Sequence, residues 1–139
     1  MDFNIFKNLF LEVLKFRRAI ENCDKNILPA SFHSFPTASC GDASIILAHY
    51  LKEKGFGEFD YILGKRMEKS HGWLKQNEIV VDITADQFED NNESVIVTIN
   101  SKWHNEFNGE KLHIADFNIY DENAKNLLLS AYNEIIKKI

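Results

Sequence analysis

The sequence predicts a mixed α+β fold in which an antiparallel sheet packs with helices. Near both ends of the chain, apolar residues recur at three- and four-residue steps, as on the buried face of a helix. Between these segments the pattern changes to short β-prone runs separated by polar turns. Helices at the ends and strands grouped in the middle are typical of α+β folds with antiparallel sheets.

The first predicted helix covers residues 3–22, with Asp2 as its N-cap. An irregular stretch follows over residues 24–39. It contains both prolines of the chain, Pro29 and Pro36, which are residues typical of turns and loops.

The second predicted helix covers residues 40–54, with an apolar face at helical spacing. Ser39 is the expected N-cap, and Asp42 three residues later resembles the second member of a capping box. Gly55 is the expected stop. The last helix is predicted to start after Asp121 as N-cap.

The middle of the chain predicts strands because β-branched and aromatic residues cluster there in short runs. The first three runs follow one another closely, as in a meander. The predicted strands are residues 59–63, 71–74, 79–83, 95–99 and 112–115.

Length and composition predict one globular domain over residues 1–139. Hydrophobic residues make up 45% of the chain and charged residues 27%, with 2 prolines and 6 glycines. These proportions exclude the disordered and low-complexity classes. The 11 phenylalanines supply aromatic side chains for a core.

Charge and segment composition restrict the expected partners and location. Sixteen Lys and Arg against 21 Asp and Glu give a net charge of −5, so we expect no nucleic-acid partner. No apolar run is long enough for a membrane span or a secretory signal. We therefore expect no membrane partner and a cytoplasmic location, or export by a route that needs no N-terminal signal. The oligomeric state stays open.

Cys40 is the first candidate for chemistry. The chain has only 2 cysteines, Cys23 and Cys40, which form neither a disulfide framework nor paired zinc-ligand spacing. Cys40 falls in the first turn of its predicted helix, where free N–H groups and the helix dipole favour a thiolate.

His71 and Asp82 are the second candidates, because they fall on adjacent predicted strands. If the connecting turn consists of Gln76 and Asn77, His71 lies directly opposite Asp82 on the same face of the sheet. Opposed Cβ atoms on neighbouring strands lie about 4.5–5.5 Å apart, within reach of an imidazole–carboxylate hydrogen bond. A turn longer by one residue would place the two side chains on opposite faces.

A thiol at a helix start, an imidazole and a carboxylate form a set of nucleophile, base and orienting group. The carboxylate holds the ring in one tautomer and stabilises its charged form, and the charged ring lowers the pKa of the thiol. The neighbours of Asp82 are apolar, so its carboxylate is expected to be partly desolvated and to need a partner. His71 is the expected partner.

These residues resemble the transglutaminase-like branch of the papain-like cysteine enzymes. The resemblance covers about residues 35–90 and rests on three motifs in order: Ser-Cys-Gly-Asp-Ala-Ser at 39–44, His-Gly-Trp-Leu at 71–74 and Val-Val-Asp-Ile-Thr at 80–84. The pattern is shared by core transglutaminases, by leader-peptide proteases of lasso-peptide maturation and by some bacterial deamidating effectors.

The resemblance implies a papain-like or transglutaminase-like core and a cysteine-dependent amide hydrolase or transferase. It assigns Cys40 as nucleophile, His71 as general base and acid, and Asp82 as orienting group. It implies a protein or peptide substrate and no metal or organic cofactor. The chain departs from the family at Gly72, where alanine is common. The backbone N–H of Cys40 is one expected oxyanion donor, and the sequence identifies no second one.

Several assignments near this set stay open. Asp86 would be the orienting group if the register were shifted. Gln87 is a candidate donor to the substrate or to the oxyanion, although residues 84–88 are more simply a turn that closes the sheet. Trp73 shares the face of His71 and is a candidate for the wall of a substrate cleft.

Three other functions compete with this assignment. The first is a non-catalytic binding module of the immunity or adaptor type, with the phenylalanine-rich first helix as its partner surface. The second is a zinc hydrolase with Cys40, His71 and Asp82 as ligands. A metal site formed by His104 and His113 with unidentified carboxylates is the third.

Overall fold

The computed structural model describes residues 2–139 as five strands in one sheet and four α-helices. The helices are α1 (Phe3–Asn22), α2 (Cys40–Glu53), α3 (Lys102–Asn105) and α4 (Glu122–Ile136). The strands are β1 (Asp60–Arg66), β2 (Lys69–Gln76), β3 (Ile79–Asp82), β4 (Ile96–Ile99) and β5 (Glu110–Ile114). The sheet order is β4-β3-β2-β1-β5, and every neighbouring pair is antiparallel. The predicted mixture of helices and antiparallel sheet is confirmed.

Helices α1 and α4 begin where the sequence predicts. The Asp2 carboxylate accepts a hydrogen bond from the N–H of Asn4 at 2.7 Å, and the Asp121 carboxylate accepts one from the N–H of Ala124 at 2.9 Å. Each aspartate thus satisfies an N–H group of the first turn that has no partner within the helix. Both N-cap predictions are confirmed.

Helix α2 begins at Cys40 as predicted, but its capping box is absent. The hydroxyl of Ser39 donates to the carbonyl of Ser31 at 2.6 Å, and the carboxylate of Asp42 accepts from the Ser31 hydroxyl at 2.5 Å. The side-chain roles predicted for Ser39 and Asp42 are therefore wrong, because both side chains bind the preceding loop instead. The helix stops before Gly55, whose φ of 91° suits a glycine.

The five predicted strands are all present, although their ends differ. β1 and β2 are longer than predicted at the turn that joins them. They pair from Asp60 opposite Lys75 to Arg66 opposite Lys69. The additional residues were not predicted as strand because most of them are polar and show no apolar alternation. The short helix α3 was not predicted.

The sheet separates a large core from a small one. Helices α1 and α2 pack on one face, and α4 packs against both helices. The core between them and the sheet includes Tyr61, Leu74 and Val81. The opposite face carries the small core, which consists of Ile62, Trp73, Val80, Phe88 and Phe107, with Trp103 packed against it.

Gly64 allows the segment after α3 to approach β1 closely. The N–H of Lys65 donates to the carbonyl of Phe107 at 2.7 Å. A Cβ atom on Gly64 would lie 2.5 Å from that carbonyl oxygen, so only glycine fits at this contact. The contact fixes the segment that carries His104 against the second face of the sheet.

The β2–β3 turn lies one residue later than predicted, and the predicted register is wrong. Gln76 pairs with Ile79, so the turn residues are Asn77 and Glu78. Asn77 has a φ of 53°, a left-handed conformation that asparagine tolerates better than most residues. Asp82 consequently lies across from Trp73, and His71 is its diagonal neighbour on the same face.

Within residues 2–139, no helix combines the length and the apolar character needed to cross a membrane.

Candidate active site

Cys40 occupies the first position of α2, at the edge of the large core. Its side chain is half-buried, whereas Ser39 before it is fully buried. The hydrogen bonds of Ser39 and Asp42 to Ser31 tie the preceding loop to the first helical turn. The thiol is thus held at the helix N-terminus, where the backbone dipoles favour a thiolate.

The structure brings His71 and Asp82 together as a hydrogen-bonded pair. The Nε2 atom of His71 lies 2.7 Å from Oδ2 of Asp82, and the two side chains are 0% and 1% exposed. A diagonal pair on neighbouring strands is within reach of an aromatic side chain. The predicted contact is therefore confirmed, although the predicted direct opposition is wrong.

A second imidazole shares the Asp82 carboxylate. His104 Nε2 lies 2.7 Å from the same Oδ2 atom, and the Ser101 hydroxyl lies 2.5 Å from Nδ1 of His104. The backbone N–H of Thr84 donates to Oδ1 of Asp82 at 2.8 Å. Both oxygens of this buried carboxylate are therefore satisfied, as buried charges require.

In the part of the chain that the structure describes, His104 and His113 do not form a metal site together, so that alternative is wrong. His104 points to Asp82, whereas His113 lies on the edge strand β5 and its Nδ1 donates to the carbonyl of Ile114 at 2.8 Å. The role of His104 depends on the approach of the α3 segment to the sheet, a long-range contact that no local pattern in the sequence signals.

The charges of this cluster stabilise one another. Burial alone would lower the pKa of His71, but Asp82 and the Cys40 thiol raise it to about 9. Burial alone would raise the pKa of Asp82, but the hydrogen bonds from His104 and His71 hold it well below the usual range. At neutral pH, His71 is therefore an imidazolium beside a carboxylate.

The Cys40 thiol responds to the same charges. Burial alone would raise its pKa, but contacts with the His71 imidazole and the Gly72 backbone N–H outweigh burial, so the pKa lies below its ordinary value. His71 Nε2 is occupied by Asp82, which leaves Nδ1 as the nitrogen available to the sulfur. The arrangement can hold a thiolate–imidazolium pair.

Asp86 is not the orienting group, so that alternative is wrong. Its two carboxylate oxygens accept hydrogen bonds from the Arg17 guanidinium at 2.9 and 2.8 Å. Asp86 belongs to a one-turn 3-10 helix, Ala85–Gln87, in the segment that was predicted as a turn. This ion pair ties that turn to helix α1.

Gln87 lies beside the imidazole. Its Nε2 is 3.4 Å from Nδ1 of His71 and donates to the carbonyl of Thr84 at 3.1 Å. The side chain is therefore next to the ring nitrogen that serves the thiol. Its predicted contact with a substrate stays a prediction.

Trp73 packs against the imidazole on the second face of the sheet. The ring centroids of Trp73 and His71 are 5.7 Å apart. Trp73 and His104 also line a cavity of about 670 Å³ bordered by Lys75 and Lys111. The shared face predicted for Trp73 and His71 is confirmed, and its role towards a substrate stays a prediction.

His71, Asp82 and His104 also form a group of metal-ligand type, because one donor atom of each lies within 4.8 Å of the others. The Nε2 atoms of both imidazoles lie 2.7 Å from the same Asp82 oxygen. This distance is typical of hydrogen bonds in which each imidazole N–H donates to the carboxylate. Among residues 2–139, Cys40 joins no such group. The zinc set of Cys40, His71 and Asp82 therefore gains no geometric support.

Tyr61 is a site residue that the sequence analysis missed. It lies on β1 and is 6% exposed. Its side chain belongs to the large core, on the face of the sheet that the helices cover. Its hydroxyl lies beside Gly41 and Gly72, the residues that follow Cys40 and His71. The residue was not identified because a tyrosine in a predicted strand is most simply a core residue.

Comparison with family models, curated proteins and solved structures found no match for this chain.

Proposed function

We propose that this chain is a cysteine-dependent amide hydrolase or acyl transferase with a transglutaminase-like, papain-like core. One arrangement carries the proposal: a half-buried thiol at a helix N-terminus has its pKa lowered by an imidazole whose Nε2 binds a buried carboxylate. A cysteine needed only for packing gains nothing from this position or from these partners. The substrate class that we propose is a protein or peptide carboxamide.

The proposed reaction starts from the thiolate–imidazolium pair. The Cys40 sulfur attacks the carbonyl carbon, a C–S bond forms, and the π electrons of the carbonyl move to its oxygen. When the C–N bond breaks, His71 gives its Nδ1 proton to the leaving nitrogen. Asp82 keeps the ring oriented and stabilises its charge throughout.

The resulting thioester is released by a second nucleophile. Water gives hydrolysis or deamidation, and an amine gives acyl transfer, with His71 accepting the proton of the attacking group in both cases. The C–S bond then breaks and restores the thiolate. The access of water to the thioester decides between these products.

Covalent labelling tests the nucleophile. The probe is a short peptide in which a chloromethyl ketone replaces the reacting amide, and the readout is the intact mass of the protein. We expect one adduct on the wild type and none on Cys40→Ala, because only Cys40 combines exposure with a stabilised thiolate. Circular dichroism of the variant should be unchanged.

Cys23 supplies the matched control. It is 5% exposed, burial raises its pKa, and its sulfur lies 3.8 Å from the carbonyl oxygen of Glu134. Cys23→Ala should be labelled as fast as the wild type. Equal labelling of wild type and Cys40→Ala would contradict the nucleophile assignment.

The second candidate function is a non-catalytic binding module on the same scaffold. The observation that favours it is the apolar surface of α1, where Phe3 is 79% exposed and Ile5 is 47% exposed. A module of this kind has no need of a stabilised thiolate. The pKa of Cys40 therefore separates the two candidates: a value near that of a free thiol, about 8.5, favours the binding module.

A further inference from the structure

The hydroxyl of Tyr61 lies between the backbones of two catalytic segments. A Cβ atom on Gly72, next to His71, would lie 2.0 Å from that hydroxyl oxygen, and one on Gly41, next to Cys40, would lie 3.5 Å from it. The hydroxyl therefore occupies the space that an alanine side chain at position 72 would fill. The glycine at position 72 is what allows the tyrosine hydroxyl to lie beside both segments.

The Tyr61 hydroxyl differs from those of two other buried tyrosines. The Tyr50 hydroxyl donates to Glu12 at 3.0 Å, and the Tyr132 hydroxyl donates to Glu53. Among residues 2–139, no carboxylate or carbonyl accepts a hydrogen bond from the Tyr61 hydroxyl, which lies beside Gly41, the residue after Cys40. A hydroxyl proton without another acceptor beside the start of the nucleophile's helix is available to the atom that becomes negative during the reaction.

We infer that the Tyr61 hydroxyl is the second oxyanion donor of the proposed reaction, together with the backbone N–H of Cys40. This inference rests on the proposed function. Before attack, the hydroxyl donates to the thiolate. When the C–S bond forms, the negative charge moves to the carbonyl oxygen beside the sulfur, and the hydroxyl donates to that oxygen.

Tyr61 keeps its proton throughout this sequence. Burial and the neighbouring Cys40 thiolate both raise the pKa of Tyr61, so the phenol donates a hydrogen bond without transferring its proton. The proton that reaches the leaving nitrogen comes from His71. When the tetrahedral intermediate collapses, the electrons return from oxygen to the carbonyl and the C–N bond breaks.

Two reagents separate oxyanion stabilisation from thiolate stabilisation. p-Nitrophenyl acetate acylates Cys40 through a tetrahedral oxyanion, whereas iodoacetamide alkylates the sulfur by displacement at carbon and forms none. Both rates are measured in a Cys23→Ala background, at a pH where Cys40 is fully a thiolate. Tyr61→Phe keeps the buried ring and removes only the hydroxyl.

We expect Tyr61→Phe to lower the acylation rate by about 10²-fold, the typical loss for one oxyanion donor, while alkylation changes by less than about twofold. Gly72→Ala displaces the same hydroxyl without removing it and should lower acylation in the same way. Tyr50→Phe is the matched control, because it removes a hydrogen-bonded hydroxyl elsewhere, and both of its rates should equal those of the parent.

Two outcomes would overturn the assignment. Unchanged acylation in Tyr61→Phe would show that the hydroxyl contributes nothing to the reaction. An equal loss of acylation and alkylation would show that it serves the thiolate alone. Failure of the proposed function itself looks different, because acylation would then persist in Cys40→Ala.

Discussion

At the scale of single residues, Asp82 shows how a buried charge is kept. The residue is 2% exposed, yet both carboxylate oxygens accept hydrogen bonds, from two imidazoles on one side and from Thr84 on the other. Hydrogen bonds to charged groups contribute roughly 1.5–3 kcal/mol each. His71 is thus oriented by a group that is itself held in place.

His104 is predicted to be a positioning residue that acts through Asp82. The Ser101 hydroxyl at Nδ1 of His104 favours the tautomer whose Nε2–H donates to Asp82. His104→Phe removes this donor and keeps an aromatic ring in the small core. We expect the free energy of unfolding to fall by about 2 kcal/mol, as measured by urea denaturation.

In the same variant, the pKa of His71 distinguishes a positioning role from a packing role, because packing alone would not change it. With one donor fewer, Asp82 holds the His71 proton more tightly, so the pKa of His71 should rise above its value of about 9 in an NMR titration of the carbon-bound ring protons. His104→Gln keeps an N–H group near Asp82 and should restore the original pKa. Identical His71 titrations in all three proteins would contradict the positioning role.

At the scale of elements, the register of one hairpin decides how His71 meets Asp82. The sequence shows that both residues share a face, because this depends only on the parity of the turn length. The turn position itself depends on Asn77, whose φ of 53° favours a turn over residues 77–78 instead of 76–77. An Asn at the first turn position is the signal that could have corrected the prediction.

Local patterns predicted the elements better than they predicted the contacts between them. The bounds of α1, the starts of α2 and α4 and the existence of five strands follow from apolar spacing and capping residues. The sequence also predicts Cys40, His71 and Asp82 as one group. The contributions of His104 and Tyr61 depend on packing between distant segments, and neither residue carries a local signature.

The contact between α1 and the turn after β3 is predicted to stabilise the fold. The Arg17 guanidinium is buried, donates to the carbonyl of Ile83 at 2.6 Å and forms a two-point ion pair with Asp86. Asp86→Asn leaves that guanidinium without its main carboxylate. Because Asp86 is only partly buried, we expect a loss of about 2 kcal/mol in the free energy of unfolding, between the values for exposed and buried pairs, in urea denaturation.

Glu21 is the matched control for this ion pair. Its carboxylate also binds Arg17, at 2.9 Å, but its side chain is 45% exposed. Glu21→Gln should therefore cost less than about 1 kcal/mol, as for other exposed pairs. Equal losses in Asp86→Asn and Glu21→Gln would show that burial does not strengthen the Asp86 contact.

At the scale of the whole molecule, the candidate active site joins the two cores. Cys40 begins helix α2 and Tyr61 points to the helix side of the sheet. Asp82 binds His104, which packs on Trp73 of the small core. β3 ends at Asp82 while β2 continues to Lys69, so His71 has no strand beside it on that side. The imidazole can therefore contact groups from both faces.

Because of this placement, the Cys40 thiolate is stabilised only when these distant parts of the chain are folded together. Cys40 gains its low pKa only when the helix start and the imidazole are both in place, and His71 gains its charge only when Asp82 is buried beside it. The imidazolium is present below about pH 9. The thiolate–imidazolium pair therefore exists from the lowered pKa of Cys40 up to that pH.

The pH dependence of Cys40 alkylation by iodoacetamide tests the central claim most directly. In a Cys23→Ala background, we expect the rate to be half-maximal well below pH 8.5, the ordinary value for a free thiol. In His71→Gln, whose side chain carries no charge, the midpoint should rise to about 8.5 or above. A wild-type midpoint at or above 8.5 that His71→Gln leaves unchanged would contradict the account.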